Sequence, residues 1–356
     1  MLTNIKKILA GLILAGITFF ILFILSEIVI RTLGTESDNL IMQDPVLGWV
    51  HVPNKIGYSR NKEFSVKVRI NKEGFIGRDY SYTKPANTIR ILAIGDSLTE
   101  AFQVPEEESY PRLLENNLKS KFQNTNFEVL NMGIAGYGTQ REFFVLKDKG
   151  LKFDPDIAVL GFFVGNDFSD NLSEEIDPGV SFSRYRETKN RVKLFARNHS
   201  AVWRFVLRKK SRNKILARFF KKDNADMANE IYDKDNREAD IKKQLDRSAA
   251  LIKNFKDLAD DNNVSLVVAI LPSPGQVYGR DLNFDELQLG LSSLLKKEQI
   301  NHVDLLPYFT NWAKLNPDKS AYYPLDGHPN AYGHSIVANG IDSYLSEFLR
   351  NKNGNF

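Results

Sequence analysis

Four short stretches, far apart in the chain, carry side chains that together could perform nucleophilic acyl chemistry. Gly95-Asp-Ser-Leu98 offers the hydroxyl of Ser97, and Asp326-Gly-His328-Pro-Asn330 offers an imidazole with a carboxylate two residues before it. A serine hydroxyl is a poor nucleophile until an imidazole takes its proton, and the imidazole needs a carboxylate to fix its tautomer and stabilise its charged form. Attack creates a tetrahedral oxyanion that needs hydrogen-bond donors aimed at it. In Asn131-Met-Gly-Ile-Ala-Gly136 the last glycine permits close backbone N–H approach, and Gly165-Asn166-Asp167 can supply a side-chain amide. Ser97 is thus read as nucleophile, His328 as general base, Asp326 as its orienting group, and Gly136 and Asn166 as oxyanion donors.

Those groups must be brought together by the elements around them. Residues 89–94, 127–130, 157–164, 264–271 and 301–305 read as strands, the third too continuously apolar to have a wet face. Amphipathic helices are expected over 110–122, 140–149, 239–258 and 284–296, and a last one, capped by Asn330, runs to about Leu349. Strands alternating with helices argue a parallel sheet covered on both faces, with ligands bound beyond the strands' carboxyl ends. Ser97, the Asn131–Gly136 stretch and Gly165–Asp167 each follow a strand, so all three emerge at that edge. Before the sheet, turn signals surround an alternating run, Phe64 to Ile70, that reads as a small strand or hairpin in a connecting collar.

The four stretches, in this order, resemble the SGNH or GDSL hydrolase superfamily, named for Ser, Gly, Asn and His in four blocks. Gly95-Asp-Ser-Leu matches the first, Gly136 the second, Gly165-Asn166-Asp167 the third, and Asp326 with His328 the last. The likeness covers residues 88–350, and Ile70 to Gly77 is similar to the lead-in of membrane-anchored members. It implies a flavodoxin-like three-layer α/β/α sandwich with a five-stranded parallel sheet, and ester hydrolysis without a cofactor. It also implies an oxyanion hole made by the Ser97 and Gly136 N–H groups with the Asn166 amide. Two departures stand out: many members space the Asp and His three apart, and glycines often follow the nucleophile where this chain has Ala101 and Gln103.

Other candidates have plainer readings. Asp96 and Asp167 are loop-ordering residues, and Gly133 competes with Gly136, which the family alignment of Asn131 favours. His334 lies six residues after His328, a spacing without the i, i+4 register of a helical zinc pair, so no metal is expected. His302 is read as packed in a strand, His51 and His199 belong to no constellation, and Phe162-Phe163 is core-strand sequence. Tyr322 and Tyr323 either line the pocket or form a packed rim.

The N-terminus, and not the cysteine count, sets the compartment. The 356 residues include no cysteine, which excludes disulfide scaffolds, Cys-ligated metals and thiol nucleophiles. Ile8 to Leu25 is an apolar run of eighteen residues, long enough for a bilayer core, with no small-x-small cleavage site behind it. An uncleaved signal anchor over residues 8–30 is expected, with Lys6 and Lys7 holding the N-terminus in the cytoplasm and the remaining chain outside it. The expected organisation is then an anchor at 1–31, a collar at 32–87 and a hydrolase domain at 88–350. The net charge of +4 conceals a basic insertion, residues 184–222, that carries +14, against −10 for the rest. With Val202, Phe205, Val206 and Ile215 at helical spacing, that insertion either lies on an anionic membrane surface, packs its apolar stripe on the domain, or binds an acidic polysaccharide. Nucleic acid is not an expected partner. The functional expectation is a membrane-anchored serine esterase acting on O-acyl groups of a polysaccharide or on a lipid ester, with an O-acyltransferase of the same fold and a non-catalytic binding module as rivals.

Overall fold

A computed structural model describes residues 2–33, 37–44, 47–173, 200, 202, 234–279 and 283–352. The chain divides into two compact units. One comprises residues 1–39, 60–62 and 181–232. Its helix α1 (Leu2–Leu33) contains one stretch, Leu9–Ile30, that is 22 residues long with mean hydropathy 2.6 and is long and apolar enough to cross a membrane. Within this unit Glu27 accepts the Ser200 hydroxyl and the Val202 N–H, each at 3.0 Å. The basic insertion at 184–222, with His199, lies outside the described residues apart from Ser200 and Val202.

The other unit is an α/β sandwich. Two short pairs of strands come first, β1 (Ile41–Asp44) with β2 (Gly48–His51), and β3 (Ile56–Arg60) with β4 (Ser65–Arg69). The main sheet is built from β5 (Thr88–Gly95), β6 (Asn126–Asn131), β7 (Ile157–Phe163), β8 (Ser265–Leu271) and β9 (His302–Asp304). Its spatial order is β6-β5-β7-β8-β9 and every pairing is parallel. This is the doubly wound order of the flavodoxin-like fold, whose switch point lies at the carboxyl ends of β5 and β7. The helices are α2 (Ser97–Glu100), α3 (Tyr110–Lys121), α4 (Thr139–Asp148), α5 (Asp167–Ser173), α6 (Lys234–Asp261), α7 (Pro274–Val277), α8 (Asn283–Lys297), α9 (Leu306–Leu315) and α10 (Ala331–Lys352).

Strand periodicity splits the core in two. On β5, Leu92 and Ile94 point to one face, with Leu146 of α4, Phe255 of α6 and Leu291 of α8. Ile91 and Ala93 point to the other, with Leu114 and Leu118 of α3, Phe309 of α9 and Ile341 and Leu345 of α10. Successive side chains of a strand face opposite ways, so both faces demand apolar residues: β7 is apolar throughout its interior, and β5 is so from Ile91 to Ile94, with Arg90 the one charged side chain inside it. Elements expected from periodicity are present within a few residues of their predicted ends. α2, α5, α7 and α9 are additions. Pro307 near the start of α9 suits the first turn of a helix, where no N–H is needed, but in the sequence it reads as a break.

The collar has a small apolar cluster of its own, Leu40, Val66, Val68, Ile70 and Ile76, but part of it joins the main core. Leu47, Val50, Phe75 and Tyr80 are buried in the same apolar cluster as Leu92 and Ile94. Residues 40–59 and 63–87 therefore belong to the same compact unit as the sheet.

Candidate active site

Each reacting group rises from the end of an element. β5 hands over directly to α2, whose first residue is Ser97, and Asp96 caps that helix by accepting the Leu98 N–H at 2.9 Å. After β6, Asn131 Oδ1 accepts the Gly133 N–H at 3.0 Å and so tightens the loop. A Cβ at Gly133 would stand 2.2 Å from the Glu100 nitrogen, so only glycine lets this loop lie against α2. The N–H of Gly133 is thus engaged within its own loop. Among the described residues, no protein acceptor takes the N–H of Gly136 or of Ser97.

At the other side of the site the loop before α10 turns on itself. Tyr323 donates its N–H to His328 O at 2.9 Å, and Gly327 donates to Tyr323 O at 2.8 Å. Gly327 has φ +84, a left-handed conformation that a glycine adopts without strain, and it brings two residues of i, i+2 spacing face to face. Asp326 Oδ1 lies 2.7 Å from His328 Nδ1, and His328 Nε2 lies 2.8 Å from Ser97 Oγ. The shorter Asp-His spacing is thus accommodated by the turn at Gly327. Burial alone would lower the His328 pKa, but the Asp326 hydrogen bond and charge, with Asp96 and Glu100 beyond, outweigh it and set the imidazole above its ordinary value.

Asn166 also reaches this edge, just before α5. Its two amide hydrogens face Asp96 Oδ2 and Asp170 Oδ2, each at 3.1 Å. Turning the amide over would set its oxygen against two carboxylates, so this orientation is the favourable one. Asp96 is completely buried behind it, and desolvation lifts its pKa to about 6 in spite of the Leu98 and Asn166 hydrogen bonds that oppose the rise. Asp170 is likewise raised, chiefly by desolvation.

The remaining candidates sort as follows. Asp167 is buried and accepts the Phe163 N–H at 2.7 Å, a structural role. His334 is buried beneath Tyr110, whose N–H it accepts at 3.3 Å, and burial, then the neighbouring His328, pulls its pKa down to about 3. His302 is bound between Ile300 O and Ser292 Oγ, both at 3.0 Å. Phe162 packs edge-on against Phe168 in the core. The Tyr322 hydroxyl is buried on Pro272 O at 2.8 Å, and that of Tyr323 donates to Gln103 O at 3.0 Å. His51 overturns the reading that gave it no constellation: it is buried with Nε2 2.6 Å from Glu100 Oε1. Glu63 and Trp49 touch the site's loops as well, and no local spacing marks them. Among the described residues no group of acidic or histidine side chains could hold a metal.

The sequence model of the GDSL-like lipase/acylhydrolase family matches residues 93–336, which include all four stretches. The chain belongs to that family. As a GDSL-like acylhydrolase it is an enzyme that hydrolyses ester bonds. No curated protein matches it. Among solved structures it is similar to an acetyl xylan esterase, AlAXEase, at 17% identity over 72% of this chain and 98% of that one, with a TM-score of 0.42. A catalytic mutant of the acetylxylan esterase Axe2 from Geobacillus stearothermophilus shares 12% identity over 74% and 96% of the two chains, TM-score 0.42. A psychrotrophic esterase from a Pseudoalteromonas species shares 12% over 74% and 99%, TM-score 0.42. Likenesses this distant do not bear on the substrate of this GDSL-like enzyme.

Proposed function

We propose that the chain is a membrane-anchored serine esterase in which Ser97 attacks the ester carbonyl. The observation that carries this is the His328 ring, held between Asp326 Oδ1 and Ser97 Oγ at 2.7 and 2.8 Å. With Nδ1–H donated to Asp326, Nε2 is the free acceptor and takes the Ser97 proton as the C–O bond forms. The resulting imidazolium is stabilised by the Asp326 carboxylate. It then returns the proton to the departing alcohol, leaving an acyl-enzyme at Ser97. Water, deprotonated by the same Nε2, releases the acid. The oxyanion is met by the N–H groups of Ser97 and Gly136. An Asn166 N–H joins them if it turns from its carboxylate partner toward the substrate.

Helix α1 is read as an anchor, not a cleaved leader, with the N-terminus cytoplasmic and the enzyme outside. Substrates held near a membrane fit this arrangement: O-acyl groups of an envelope or extracellular polysaccharide, or lipid esters. Full-length protein in detergent is expected to hydrolyse p-nitrophenyl acetate, and Ser97→Ala to reduce kcat by about a thousandfold or more. Equal turnover by wild type and Ser97→Ala would end the proposal. Acetyl transferred to an added glycan, in place of free acetate, would instead favour the transferase reading.

A further inference from the structure

Both loops that carry reacting groups are gripped by residues that precede the family match. On the oxyanion side, the Trp49 indole donates to Ala135 O at 2.9 Å, beside Gly136. The Ala135 N–H is accepted by Glu100 Oε1 at 3.0 Å, and the same oxygen faces His51 Nε2. His51 is anchored in turn, Nδ1 lying 3.0 Å from Gly74 O. On the acid–base side, Glu63 Oε2 accepts the Asp326 N–H at 2.7 Å. Both Glu63 oxygens also face the Leu325 N–H, at 3.0 and 3.1 Å. Leu325 is 76% exposed, so apolar packing does little to fix this segment. Phe64 adds a ring contact with Tyr323, 5.2 Å between centroids.

We propose that the collar is a two-armed clamp on the active site, with Glu63 a positioning residue for the Asp326–His328 pair and Trp49 one for the Gly136 loop. The inference rests on the proposed serine mechanism. Asp326 carries both the N–H that Glu63 holds and the carboxylate that orients His328, so restraining the first restrains the second. A charge-assisted hydrogen bond from a carboxylate to backbone N–H is among the stronger ones available for this. Glu63 acts through geometry. The charged or titratable groups that face His328 are Asp326, Asp96 and Glu100, with neutral His334 behind. Trp49 does the equivalent for the oxyanion loop, since the Ala135 carbonyl it binds belongs to the peptide whose N–H is that of Gly136.

The test compares full-length wild type, Glu63→Ala, Glu63→Gln, Trp49→Phe and Ser97→Ala in detergent on p-nitrophenyl acetate. Glu63→Ala is expected to lower kcat about tenfold with KM within twofold, because a slackened general base affects the transition state more than binding. The acid limb of its kcat/KM profile is expected to move down in pH as the Asp326 hydrogen bond loosens. Glu63→Gln, which keeps one acceptor oxygen, should recover most of kcat and restore the limb. Trp49→Phe keeps the ring and loses the indole N–H, and should cost kcat several-fold without moving the limb. Wild-type kcat and an unmoved limb in Glu63→Ala overturn the clamp. So does a loss that tracks a fall in melting temperature and is not rescued by Gln. Failure of the serine mechanism reads differently, as turnover in Ser97→Ala equal to wild type.

Discussion

Asp96 is the residue whose replacement separates stability from activity most sharply. It sits completely buried beside Ser97, its carboxylate accepting from Leu98 and Asn166, and desolvation raises its pKa from 3.8 to about 6. The unfolded chain, with the lower pKa, releases this proton more readily, so the ionised group favours unfolding as pH rises. The stability it contributes is fully present below pH 3.8 and is lost as pH climbs through about 6. A shift of two units corresponds to about 3 kcal/mol above that window, an order-of-magnitude figure. Asp96→Asn keeps a good helix cap and cannot ionise. Whatever constant offset its amide introduces against Asn166, the stability of the variant relative to wild type should improve by about 2–3 kcal/mol between pH 4 and pH 7.5. Melting of the two full-length proteins in one nonionic detergent should show this as a gap that shifts in favour of the variant by roughly 3–4 °C, at about 2.1 cal/mol/K of unfolding entropy per residue. Turnover should fall about tenfold, because Asn166 loses the carboxylate that orients it. A gap that is constant across this range, or that shifts toward wild type, would show that Asp96 is not held protonated by burial, and the electrostatic reasoning would fail.

Further outcomes follow from the same geometry. Asp326→Asn should reduce kcat by about a hundredfold or more and shift the acid limb of kcat/KM to lower pH, since the raised His328 pKa depends on that partner; steady-state kinetics from pH 5 to 9 checks both. Gly133→Ala forces a methyl group to within 2.2 Å of backbone in α2, and should destabilise by more than about 3 kcal/mol or prevent folding, measured as loss of melting temperature or of soluble yield. Glu128→Ala strips the carboxylate from the buried guanidinium of Arg90, whose Nε and terminal nitrogen donate to it at 2.8 and 2.6 Å. A loss of about 3 kcal/mol is expected by denaturant titration, without change in KM.

What could be read in the sequence was whatever depends on local period and order. Apolar runs identified β5, β7 and β8, broken in β5 only by Arg90, and the four stretches with Ser97, Gly136, Asn166 and His328 each sit at an element's end where a parallel sheet gathers them. Three features escaped for physical reasons. Glu63 meets Leu325 and Asp326 across more than 260 positions, and no spacing rule links a carboxylate to backbone N–H groups that distant. His51 reads as an isolated histidine because its partner, Glu100, enters the interior only through the turn after Ser97, at Ala101 with φ +62. The collar reads as a connector because Leu47, Val50, Phe75 and Tyr80 are scattered among turn residues. Buried in one cluster with Leu92 and Ile94, they extend the main core. Asn166 reached its expected edge, yet only the structure reveals that its amide hydrogens face Asp96 and Asp170.

The central claim is that Ser97 is a nucleophile made reactive by His328. Incubating the full-length protein with a fluorophosphonate probe, followed by peptide mapping, tests it most directly. The account predicts stoichiometric labelling at Ser97, slowed by about a hundredfold or more in His328→Ala. No label at Ser97 in the wild type, or undiminished labelling in His328→Ala, would contradict it.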